Sequence, residues 1–192
     1  MIYTLLISLI LLFPTEALND DNQLILEVRS QIAEIENRQQ AEDRQYGGEW
    51  FLQKHKECER IPRRSYVNQL DCRRDIERNY NTIEGNRSSR NQQLENLRTR
   101  EQALQRSIQL TRQIGNLNTS SVSGKRNAMR LHAQRAETYV ERSRWSNWAN
   151  SDNDQAAAVD DYGLAAEYAA DLGDFDAMTR YIELQSQYDE WC

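Results

Sequence analysis

"IERNYNTIEGNRSSRNQQLENLRTREQALQRSIQLT", residues 76–111, decides the fold class. Positions 76, 80, 83, 87, 90, 94, 97, 101, 104, 108 and 111 alternate steps of four and three. They carry Ile, Tyr, Ile, Arg, Arg, Leu, Leu, Glu, Leu, Ile and Thr. A heptad row of this kind predicts a helix packed in coiled-coil fashion along one or two neighbours, with packing inside one chain preferred over an oligomerisation seam. Arg87 and Arg90 interrupt the row within "EGNRSSR" (84–90). Gly85 could end one helix there and Asn86 or Ser88 could cap another, while the unbroken phase equally allows a single long helix.

The rest of the chain is written in the same periods. Only 2 Pro and 7 Gly interrupt 192 residues, and Gln, Glu, Arg, Ala and Leu lose little rotamer freedom in a helix. The expected fold is all-α: antiparallel helical hairpins with coiled-coil-like packing. With 39% apolar residues the core must be thin. Ile25, Val28, Ile32 and Ile35 mark a helix led by Asp20 and Asp21, whose charge suits the positive end of a helix dipole. That pattern stops at Gly47-Gly48, and a short piece, "EWFLQKHKECER" (49–60), runs to Pro62. Beyond a small, polar linker, Met129, Ala133, Ala136 and Val140 define one face of a further helix, and Asp154 is expected to cap a helix beginning at Gln155.

The first seventeen residues, "MIYTLLISLILLFPTEA", read as a signal peptide: Ile2–Phe13 is apolar, Pro14 ends the run, and Thr15-Glu16-Ala17 places small residues where a signal peptidase cuts. The run is too short for a bilayer core of roughly 30 Å. Its n-region has no Lys or Arg. The expected organisation is a leader at 1–17, a coiled-coil-like region at 18–117, a linker at 118–125 and a helical domain at 126–192. Localisation is expected to be exported, periplasmic or secreted.

Export permits disulfides. Cys58 and Cys72 flank Pro62 on two segments that a short loop would set antiparallel, so the expectation is a staple. A zinc site from His55, Cys58, Cys72 and His132 would lack close-spaced ligands on one side, and a redox centre would want C-x-x-C. No metal or other cofactor is expected. Cys192 is left over, and it or the heptad seam offers a route to a homodimer.

Charge is strongly blocked. Residues 18–59 carry a net −5, residues 60–144 a net +10, and residues 145–192 a net −10; 21 of the 24 basic residues are Arg. Either the basic middle lies against the chain's own acids, or it meets an anionic partner such as an envelope surface or an acidic protein face. Nucleic acid is not expected, because the basic residues lack interleaved stacking aromatics. The candidate binding residues are Arg60, Arg63, Arg64, Arg73 and Arg74 around the cysteines, with Trp145 and Trp148 three apart on a helix face.

Toward the C-terminus, Leu164, Ala165 and Tyr168, then Gly173 as the turn, then Ala177 and Tyr181, resemble one tetratricopeptide helix pair over residues 158–190. The resemblance implies two antiparallel helices held close by small residues, with aromatics between them.

No G-x-S-x-G, H-E-x-x-H or P-loop is present. No catalytic residues are singled out. The expected function is a non-enzymatic exported interaction or scaffold protein. The alternative is a small exported inhibitor or effector acting through the stapled basic loop 60–66, and a third reading is a hydrolase using two carboxylates that no motif selects.

Overall fold

The computed structural model describes residues 13–62, 65–145 and 149–189. These form six helices: α1 (Phe13–Tyr46), α2 (Gly48–Glu59), α3 (Tyr66–Gly115), α4 (Val122–Ser143), α5 (Ser151–Asp171) and α6 (Phe175–Asp189). No strand occurs among the described residues, so the all-α expectation holds. Residues 1–12 of the expected leader lie outside the described residues; residues 13–17 belong to α1.

The alternative left open at "EGNRSSR" resolves as one helix of 50 residues. Gly85 is an interior helical position, and a Cβ there would meet nothing within 4 Å. At 1.5 Å per residue α3 is about 75 Å long. The seam behaves as its phase predicts. Ile76, Leu94, Leu97, Leu104, Ile108 and Thr111 are buried, Ile83, Arg87, Arg90 and Glu101 are half-buried, and Tyr80 alone of the row is exposed.

Two compact units result, one formed by residues 27–99 and the other by residues up to 26 together with 100–192. The first holds most of α1, all of α2 and the N-terminal two thirds of α3. Residues 100–115 group with the C-terminal helices, where Ser107 and Thr111 accept from Arg142 and Arg135 of α4. The linker expected at 118–125 is a short loop followed by the first turn of α4. Ser121 caps that helix by accepting from the Gly124 N–H at 3.0 Å. Only glycine fits at 124, since a Cβ would stand 1.9 Å from the Asn118 carbonyl oxygen.

In the second unit α4 and α5 pack through small residues. Ala128, Ala136, Ala158, Ala165 and Ala169 are fully buried. Tyr162 fills the space beyond them, stacked at 6.5 Å on Tyr181 and 6.1 Å on Tyr188 of α6. The turn between α5 and α6 closes by Asp174 N–H donating to Ala169 O at 2.9 Å and Gly173 N–H to Ala170 O at 3.0 Å. This leaves residue 173 at φ +71°, where glycine carries no Cβ penalty.

Two details of the sequence reading are corrected here. Asp20 and Asp21 do not lead a helix; they lie inside α1, and Asp21 is buried. Asp154 is not the cap of α5, which starts at Ser151 after Asn150; its carboxylate instead holds a buried arginine.

Candidate interaction surface

The stapled end is built by α2, the turn after it and the first turns of α3. Arg60 closes α2, its N–H donating to the Glu57 carbonyl at 3.2 Å. Ile61 N–H donates to Cys58 O at 3.2 Å, and Ser65 N–H to Pro62 O at 2.8 Å. Cys58 is fully buried and bonded to Cys72, with a Cα separation of 5.8 Å inside the disulfide range. Farther along the pair, Phe51 packs on Tyr80 at 4.7 Å and on His55 at 4.5 Å. A groove of about 630 Å³ runs beside the disulfide, lined by Trp50, Lys54, Glu57, Asn68, Asp71 and Asp75 among others.

Of the predicted binding residues, Arg60, Arg73 and Arg74 cluster at this end. Arg73 lies 3.6 Å from Glu59 and Arg74 3.7 Å from Asp71, both as solvent-exposed pairs. Arg63, Arg64, Trp148 and Cys192 lie outside the described residues. Trp145 belongs to the second unit, where the Arg100 guanidinium sits 5.5 Å over its ring. Sequence reasoning counted Tyr66 only as the end of loop 60–66 and passed over Val67. They open α3 beside the turn and stand 63% and 68% exposed.

Away from the tip, the basic middle is matched by acids of the same unit. Arg90 forks onto both oxygens of Glu42, Arg87 pairs with Asp43 and Glu84, and Arg98 reaches Glu36 at 2.9 Å. Gln39 Nε2 donates to Asn91 Oδ1 at 3.1 Å in the same row. The hydrogen bonds from Arg90 hold Glu42 below the usual carboxylate range, and Asp43 raises Arg87 above the usual arginine value.

The second unit contains a buried polar lattice that the sequence reading did not identify. Arg142, 3% exposed, donates to Asp21 at 2.9 and 3.0 Å, to Asp154 at 3.0 and 3.1 Å, and to Ser107 at 3.1 Å. Arg135 grips Asp161 through two bonds of 2.7 Å and donates to Thr111 at 3.1 Å. Burial opposes the Arg135 charge, but the bonds to Asp161 outweigh it, so its pKa lies above the ordinary value. His132 Nδ1 lies 2.7 Å from the same Asp161. One signal could have revealed the lattice: His132, Arg135, Tyr139 and Arg142 follow steps of three, four and three, a second row on α4 beside the apolar one.

No buried side-chain nitrogen or oxygen of this lattice is left without a hydrogen-bond partner, which suits a structural role. Among the described residues no group of three His, Cys, Asp or Glu side chains is placed to hold a metal ion. No helix of the described residues is long and apolar enough to cross a membrane.

Fold and surface together define an all-α helical protein with a disulfide-stapled hairpin. The chain matches no known protein-family model, no curated protein and no solved structure.

Proposed function

We propose that the chain is a non-enzymatic exported interaction protein, periplasmic or secreted, whose stapled hairpin end contacts a protein partner. The α5–α6 pair, read as tetratricopeptide-like, would serve as a second docking platform. One observation carries this reading: Tyr66 and Val67 are largely exposed at the start of α3, six residues before the Cys72 that bonds Cys58. Exposed aromatic and arginine side chains on a preorganised element bind at low entropic cost, because the element need not be ordered on contact. The pairing of Arg87, Arg90 and Arg98 with Asp43, Glu42 and Glu36 favours a protein partner over an anionic surface, since it leaves less basic charge to meet one.

The test is a photoreactive phenylalanine at position 66 in the full, oxidised chain, produced in its native host. A discrete crosslinked protein is expected at position 66 and not at the exposed control position Glu77. Labelling indistinguishable between the two sites would reject the stapled end as the contact. Mass spectrometry of the same sample reports whether residues 1–17 are removed.

The same turn favours a second reading, a small exported inhibitor or effector that inserts loop 60–66 into a partner's cleft. Alanine at Arg63 and Arg64 should then abolish binding and leave the melting temperature unchanged. Crosslinking to an enzyme whose activity rises when the chain is removed would select this reading.

A further inference from the structure

Helix α6 carries two apolar rows. Tyr181, Leu184 and Tyr188 turn inward and pack on Ala136, Val140, Ala158 and Tyr162. At 100° per residue, Phe175 and Ile182 fall roughly 130–150° away from that row, with Met178 at its edge. Phe175 is 65% and Ile182 44% exposed, and no residue of α6 is fully buried. A helix that needed only one neighbour would place polar residues at 175 and 182.

The segment that carries this second row is strongly acidic. From Ser151 to Asp189 the chain has ten carboxylates and one basic residue, Arg180. Asp154 and Asp161 are consumed by Arg142 and Arg135, and Asp171 by Lys125 at 2.6 Å. On α6 itself Asp176, Glu183 and Asp189 are exposed, as is Arg180 between the first two.

We infer that this face of α6 docks a basic amphipathic helix of a partner protein. Apolar side chains of the incoming helix cover Phe175 and Ile182, and its lysines or arginines meet Asp176, Glu183 and Asp189. Charge argues against a second copy as the occupant, because symmetric pairing through α6 would set these carboxylates against themselves. The inference rests on α5–α6 as a docking platform and is independent of the stapled end.

The probe is a synthetic amphipathic Leu/Lys peptide, titrated by fluorescence anisotropy against the full oxidised chain, with a Leu/Glu peptide of equal length as control. The Leu/Lys peptide should bind and the Leu/Glu peptide should not. Phe175→Ser with Ile182→Ser should weaken binding at least about ten-fold without changing the helical signal, because both positions are exposed. Asp176→Asn with Glu183→Gln should weaken it mainly at low salt. Tyr66→Ala should leave it unchanged, which separates this surface from the stapled one. Absence of Leu/Lys binding overturns the inference, as does binding that survives the double serine change. So does self-association in sedimentation that the same change abolishes, since the occupant would then be a second copy.

Discussion

Arg142 satisfies two buried carboxylates at once, and a single side chain therefore ties α1, α3, α4 and α5 of the second unit together. Pairs of this kind contribute little net stability while intact, yet removing one member strands the other charges away from water. Arg142→Met should accordingly cost about 3–5 kcal/mol in urea unfolding, whereas Arg78→Ala, which loses only an exposed pair with Asp75, should stay within about 0.5 kcal/mol. Tyr162 gives a pH-dependent counterpart. Burial pushes its phenol up to about 12, and burial raises Tyr139 as well. A phenol whose folded pKa exceeds its unfolded value near 10 contributes stability that is complete below that value and is lost as pH rises toward the folded one. Melting temperatures should therefore be flat from about pH 8 to 10 and fall above it, and Tyr162→Phe should shallow that fall. At this scale the sequence was least legible. Charged residues are read as solvent-facing unless paired, and the acids paired with Arg135 and Arg142 lie on other helices, Asp161 26 residues away and Asp154 and Asp21 12 and 121 away.

Among the elements, α3 offers the sharpest test, because its continuity could not be read from composition. Gly85 at the end of one helix would need a left-handed backbone and resist replacement; inside one helix it only adds unfolded-state entropy. With no atom in the way of a Cβ, Gly85→Ala should raise stability by about 0.5–1 kcal/mol. A loss measured by chemical denaturation would restore the two-helix alternative. The heptad phase was legible across this helix because a regular row survives polar substitution. What it could not reveal was the reason for Arg87 and Arg90 in the row, which lies in the acids of α1. The cysteine pair was legible for a local reason: both residues lie within 14 positions of each other across a proline turn. The exposure of Tyr66 and Val67 was missed because nothing in an apolar pair at a helix start says which way it points.

For the whole molecule, the disulfide lies in one compact unit and the buried arginine lattice in the other. Replacing Cys58 and Cys72 by serine should cost about 3 kcal/mol in the chain-entropy picture. Hydrogen exchange should quicken across residues 27–99, while amides at 104–111, 128–140 and 158–169 keep their protection. A uniform rise across the chain would show that the units unfold together. The blocked charge, visible in the sequence as a sum, is spent in this fold at defined positions, and those positions constrain how α1 and α3 can align. A slip of seven residues one way would oppose Asp43 and Glu42 with Leu94 and Leu97; the other way would oppose them with Tyr80 and Ile83. A bare leucine zipper tolerates sliding, but here either of these displaced alignments strands ions against hydrocarbon. The two long rods are thus keyed like a lock cylinder, with one setting in which all the pins fall into place.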